Sequence, residues 1–178
     1  MDWEFYILNY IRENLTNDFL NQAMPFFSML GNGVLWVLIA AVCLAIKKTR
    51  PFGRTLTVNL ILGVTSCNLI LKPIVQRIRP YDLNQTVSLI VGAESDYSFP
   101  SGHTFFAFGF ATIVFMYNKA LGFAAYLLAV IIALSRLYLY VHFPTDVICG
   151  AIFGILIALA AYNIDKMMFS DLRLKNNE

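Results

Sequence analysis

Residues 120–139 run ALGFAAYLLAVIIALSRLYL, a stretch with one charge, Arg136, close to its end. A helix needs about 20 largely apolar residues to cross the hydrocarbon core of a bilayer, and this stretch meets that need. Residues 25–46, 55–71, 104–118 and 147–164 are apolar in the same way, and the two shorter runs continue into polar ends that can lengthen the helix. The pattern predicts an all-α fold, a polytopic transmembrane helical bundle of about five spans. Composition agrees: 58% of the 178 residues are hydrophobic and 13% charged, where a soluble domain carries about 25% charge. A net charge of +2, with no basic run interleaved with aromatics, excludes nucleic acid as a partner.

Residues 1–23 differ from the spans. Trp3, Tyr6, Ile7, Tyr10 and Ile11 recur at helical spacing, while Asp2, Asn9, Arg12 and Glu13 lie elsewhere. That pattern predicts an amphipathic helix lying in the membrane interface, its aromatics at headgroup depth. No basic segment precedes the first apolar run, so a cleaved leader is not expected. One membrane domain is expected over 1–178: an interfacial helix (1–23), a transmembrane bundle (24–165) and a cytoplasmic tail (166–178). Cys43, Cys67 and Cys149 sit inside apolar stretches without disulfide or metal-ligand spacing, as small apolar fillers.

Charge sets the orientation. Lys47, Lys48, Arg50, Arg54, Lys119, Lys166, Arg173 and Lys175 fall on one side, against Asp165, Asp171 and Glu178. Positive charge near span ends marks the cytoplasmic side. The amino terminus and the long loop 73–102 are then outside.

Three polar clusters stand at the outer ends of spans. Lys72 and Arg79-Pro80 close the second; seven residues is nearly two helical turns, so both cations would share one face if the helix continued through Pro73. Pro100-Ser101-Gly102-His103 opens the third span, with Ser101 as N-cap and the free amides of Gly102 and His103 as an anion site beside a histidine that can donate a proton. Ser135-Arg136, His142 and Asp146 join the fourth span to the fifth. A carboxylate four residues after His142 can fix its tautomer and leave the other ring nitrogen free to attack. Each cluster alone has a plain alternative: cations that snorkel to headgroups, an ordinary capped helix, a chance His–Asp pair. Both histidines of the chain stand in these clusters, however, and all three clusters map to one membrane face.

Three fixed cations with backbone amides call for a multiply charged anion, and phosphate fits. Carboxylates to hold Mg²⁺ or Ca²⁺ are not left over. Two histidines with Asp146 could bind Zn²⁺, but the adjacent cations would repel it. No metal and no cofactor are expected.

Lys-x6-Arg-Pro at 72–80, Pro-Ser-Gly-His at 100–103 and Ser-Arg-x5-His-x3-Asp at 135–146 resemble the three-part signature of the type-2 phosphatidic acid phosphatase family. Its superfamily also holds lipid phosphate phosphatases, bacterial acid phosphatases and vanadium haloperoxidases. The resemblance implies a helical core and a phosphohistidine intermediate. His142 would be the nucleophile, Asp146 its orienting partner, and His103 the acid for the leaving oxygen and then the base for water. Lys72, Arg79, Ser101, Gly102 and Arg136 would hold the phosphoryl oxygens. Tyr140 departs from the pattern, since relatives often have Gly there, and a bulky side chain is expected to reshape the pocket mouth.

A metal-independent lipid phosphatase at the outer leaflet is the expected function, with loop 73–102 over the phosphate and tails entering between helices. Undecaprenyl diphosphate is the first expected substrate, followed by phosphatidylglycerol phosphate and phosphatidic acid. A non-catalytic lipid-phosphate carrier is the alternative of another class, and a haloperoxidase is a third. Gly150 and Gly154 have small-xxx-small spacing, which suits packing inside one bundle ahead of a dimer interface; oligomeric state stays open.

Overall fold

The computed structural model describes residues 2–169, and every regular element among them is helical. In chain order these are α1 (Asp2–Asn14), α2 (Asp18–Leu30), α3 (Gly33–Ala45) and α4 (Arg50–Gly63). The run continues through a π-helical segment (Val64–Leu71) into α5 (Lys72–Val75); α6 (Pro80–Leu83), α7 (Gly102–Tyr117), α8 (Lys119–Tyr138) and α9 (Pro144–Met168) follow. Three runs are long and apolar enough to cross a membrane: Arg50–Leu83, Lys119–Tyr138 and Pro144–Met168. The bent pair α2–α3 makes a fourth if counted as one span, and α7 is a shorter apolar helix. Large apolar side chains such as Val37, Leu69, Phe123 and Leu156 face outward, as a lipid-embedded, multi-pass protein requires.

Two boundaries differ from expectation. The amino-terminal segment is not one helix to residue 23. It ends at Asn14, and Asn17 caps a new helix by accepting the Leu20 amide at 2.9 Å. The apolar run 25–46 is also broken, with α2 and α3 meeting at 47°. Asn32 accepts the Val34 amide at 2.9 Å and so starts α3 afresh, a capping signal that hydropathy alone passes over. Of the expected tail, residues 166–168 are the last turn of α9, and 170–178 lie outside the described residues.

α7 is the central helix. Phe105, Phe106, Ala111 and Ile113 are buried against Leu56 and Leu60 of α4, Ala129 and Ile132 of α8, and Ala158 of α9. α7 and α9 touch backbone to backbone: a Cβ on Gly154 would stand 2.3 Å from the Phe105 carbonyl oxygen, and one on Gly150 2.7 Å from that of Ser101. The small-residue spacing of α9 therefore serves packing inside the bundle. At one end Arg54 pairs with Asp165 at 3.0 Å, in the region of the basic loop. At the other end a second cluster, with Leu8, Tyr138, Leu139, Tyr140 and Phe143, underlies the three motif clusters. α1 lies against that end: Trp3, Tyr6 and Tyr10 face outward, while Leu8 and Glu4 point in.

Candidate active site

Each motif is carried to the same end by a helix terminus. Lys72 follows the π-helical segment, His103 stands in the first turn of α7, Arg136 in the last turn of α8, and Asp146 in the first turn of α9. Pro144 suits that first turn, since its missing N–H leaves no helical bond unmade. A cavity of about 390 Å³ opens there, lined by Lys72, Arg79, Gly102, His103 and His142. Its wall continues through Leu60, Val64, Val34 and Val37, of which both α3 valines are exposed on the apolar exterior.

His142 is buried, 1% exposed, with Nε2 3.4 Å from Nη1 of Arg79. Its other nitrogen, Nδ1, is 3.7 Å from Oδ2 of Asp146, beyond hydrogen-bond reach. The hydroxyl of Ser98 stands between them, donating to Asp146 Oδ2 at 2.5 Å and lying 3.4 Å from Nδ1. The direct His–Asp bond expected from spacing is thus replaced by a serine-bridged one. Asp146 is fully buried and saturated: Oδ2 also accepts the Phe143 amide at 2.8 Å, and Oδ1 accepts Arg77 Nη1 at 2.6 Å. Burial pushes the His142 pKa well below 6.5, and the charges of Arg136, Arg79, Lys72 and His103 push the same way. The ring is neutral at pH 7, the form that carries a nucleophilic lone pair.

The cations are held by the long loop. Arg79, 2% exposed, donates Nη1 to the Val141 carbonyl at 2.8 Å and Nη2 to Asp96 Oδ1 at 2.5 Å. Lys72 donates to the other oxygen of Asp96. Arg136 donates to Glu94 and to the Ser28 hydroxyl, and its Nε has no partner among the described residues. Burial pushes both carboxyls up, but the cations prevail: Arg136 holds Glu94 below its usual value, and Lys72 and Arg79 do so for Asp96.

Ser101 is buried, but its side chain caps no amide; its hydroxyl accepts Thr104 Oγ1 at 3.0 Å. Gly102 faces open space, and a Cβ there would meet no atom within 4 Å, which leaves the backbone accessible to a ligand. Tyr140 does not line the cavity mouth. It is fully buried at φ 62, its hydroxyl donating to Asn9 at 2.7 Å and accepting from Asn84 at 3.2 Å. That left-handed backbone is the conformation glycine adopts most readily. Among the described residues, no three of His, Cys, Asp and Glu gather as metal ligands would.

The sequence reading missed Ser98, Glu94, Asp96, Arg77 and Glu4. Ser98 lies three residues before Ser101 but shares no helix with it. The others act across separations that no periodicity marks.

Known proteins resemble this chain in sequence and in fold. The family model described as the PAP2 superfamily matches residues 34–169. An undecaprenyl-diphosphatase of Sulfolobus acidocaldarius is 30% identical over 147 residues, 82% of this chain and 71% of that one. The crystal structure of Aquifex aeolicus LpxE superposes with a TM-score of 0.74 at 26% identity, covering 90% of this chain and 95% of that one. A transmembrane PAP2-type phosphatidylglycerolphosphate phosphatase from Bacillus subtilis superposes at 0.66 and 25% identity, with 93% of each chain covered.

Proposed function

The chain belongs to the PAP2 superfamily and is a lipid phosphatase, and from that premise we propose that it works at the outer membrane face, without a metal, through a phosphohistidine on His142. The observation that carries this reading is the gathering of His142, His103, Lys72 and Arg79 around one cavity whose far wall is apolar.

In the first step the lone pair on Nε2 of His142 attacks phosphorus. The P–O bond to the lipid breaks, and His103 gives its proton to the departing oxygen. Nδ1 keeps its proton toward Ser98 and Asp146, which offset the charge the ring gains. In the second step His103 takes a proton from water, the water oxygen attacks phosphorus, and the P–N bond breaks to release orthophosphate. Lys72, Arg79 and the Gly102 amide, on the cavity wall, hold the phosphoryl oxygens, and Arg136 and Ser101, which stand behind that wall, complete the set once they turn from Glu94 and Thr104 to the phosphate; positioning and charge supply most of the catalysis in such transfers.

Undecaprenyl diphosphate is the favoured substrate, ahead of phosphatidylglycerol phosphate and phosphatidic acid. Similarity to an undecaprenyl-diphosphatase supports it, as does the apolar wall through Val34, Val37 and Val64, which suits a long hydrocarbon tail arriving sideways. The outer face is favoured because Lys47, Lys48 and Arg50 lie at the opposite end of the bundle.

The test is phosphate release by the purified chain in detergent with EDTA, over a panel of these three lipids. Turnover should persist in chelator, be fastest on the isoprenoid diphosphate, and vanish in His142→Ala. Activity lost in EDTA and restored by a divalent ion would overturn the metal-free mechanism. Full activity of the alanine variant would overturn the nucleophile, and a preference for either glycerolipid would overturn the substrate assignment.

A further inference from the structure

Arg77 is a partly exposed cation beside the site that does not line the catalytic cavity. Its guanidinium lies over the Phe143 ring at 4.1 Å and reaches three acceptors. Nη1 is 2.6 Å from Asp146 Oδ1 and 2.6 Å from Thr145 Oγ1, and Nη2 is 2.6 Å from Glu4 Oε2. Glu4, 4% exposed, uses its other oxygen to accept the Thr145 hydroxyl at 2.6 Å. An acid buried on the inward face of α1, beside Leu8, is costly unless paired, and here the pairing ends on the carboxylate behind His142.

We propose that Glu4 of α1 is a positioning residue for the phosphatase reaction, the outer carboxylate of a Glu4–Arg77–Asp146 chain that keeps one net negative charge behind His142. This rests on the function proposed above. Asp146 alone carries one negative charge; Arg77 tethers it but cancels that charge; Glu4 restores it. The balance matters because the charges facing His142 from the cavity side are largely positive. Lys72 comes from α5, Arg79 from the segment before α6, His103 from α7 and Arg136 from α8. Their carboxylate partners, Asp96 and Glu94, sit on the loop where phosphate would compete with them. Among the described residues, the chain through Asp146 and Ser98 opposes those cations from behind the ring, where charge develops as Nε2 bonds to phosphorus.

The experiment compares wild type, Glu4→Gln, Glu4→Asp and Leu8→Ala across pH on one lipid phosphate, with kcat and KM read separately. Leu8 is fully buried on the same helix, so its truncation loosens α1 without changing charge. In Glu4→Gln, kcat should fall on the order of tenfold, as for outer partners of oriented histidines, with KM within about twofold. The acid limb of the pH profile should move to lower pH, because His142 loses a negative charge that favours its protonation. Glu4→Asp should recover most of kcat and the limb, and Leu8→Ala should lower the unfolding temperature while leaving the limb in place. Wild-type kcat and limb in Glu4→Gln overturn the proposal, as does a loss matched by Leu8→Ala with no limb shift. If the glutamine variant does not fold, Arg77→Gln takes its place: two carboxylates then stand behind His142 with no cation between them, the acid limb should move to higher pH, and a wild-type limb with wild-type kcat overturns the proposal. A wild-type chain that hydrolyses no lipid phosphate overturns the parent function and this inference together.

Discussion

Oδ1 of Asp96 lies 2.5 Å from Nη2 of Arg79, and its other oxygen takes Lys72, so one carboxylate of the loop spans two cations assigned to the phosphoryl group. A substrate phosphate must displace it. Asp96 is half open to solvent, where an ion pair is worth up to about 1 kcal/mol, or roughly fivefold in affinity. Asp96→Asn should therefore tighten inhibition by inorganic phosphate or vanadate about threefold to fivefold and lower KM in the same sense. Weaker inhibition by both anions would show that Asp96 helps to build the site instead of competing for it.

Gly102 gives a second prediction. Its Cβ would enter open space, so Gly102→Ala meets no clash, and alanine is the better helix former by up to about 1 kcal/mol. That open space is the cavity. The variant should unfold at or slightly above the wild-type temperature in detergent, while KM for lipid phosphate rises several-fold. A stable variant with unchanged KM would place the phosphate away from the α7 amide.

Most of the site was legible because its members sit at helix ends, and hydropathy locates helix ends in a membrane chain. Lys72, Gly102, His103, Arg136 and Asp146 stand in the terminal turns of helices, and His142 in the turn between α8 and α9, all toward one end of the bundle. What stayed hidden depends on side chains meeting across irregular backbone. Glu94 and Asp96 belong to a loop with no periodicity, and nothing local links Glu4 to Asp146 through Arg77. Ser98 enters between His142 and Asp146 only because the backbone before Ser101 returns to the Arg77 carbonyl, 2.9 Å from the Ser98 amide. The bend between α2 and α3 escaped for a related reason: an asparagine cap is a small signal inside a long apolar run.

Tyr140 yields a third prediction. Its hydroxyl joins the α8–α9 turn to α1 through Asn9 and to the long loop through Asn84. Removing it forfeits two hydrogen bonds, each worth about 1 kcal/mol net, without changing the buried ring. Tyr140→Phe should destabilise the protein by about 1–2 kcal/mol in detergent unfolding while KM and the preference among lipid tails stay as in wild type. A changed tail preference at unchanged stability would return Tyr140 to the pocket mouth.

The last prediction concerns pH. Glu94 and Asp96 both have folded pKa values below the ordinary ones, so the unfolded chain takes up their protons first as pH falls. Their contribution to stability is complete above about pH 4.5, near the ordinary carboxylate values, and is lost as pH falls through the lowered folded values. His142 acts over a higher window. Its folded value lies well below 6.5, so below about 6.5 the unfolded chain gains a proton that the folded chain refuses, at up to roughly 1.4 kcal/mol per pH unit. The unfolding temperature should therefore fall in two stages between pH 7 and 3. The upper stage should shrink in His142→Ala, the remainder belonging to His103 beside the same cations, and the lower should shrink in the double variant Glu94→Gln, Asp96→Asn. Thermal unfolding across that range, followed by tryptophan fluorescence in one detergent, checks both; a level midpoint from pH 7 to 5 in wild type would contradict a buried, neutral His142.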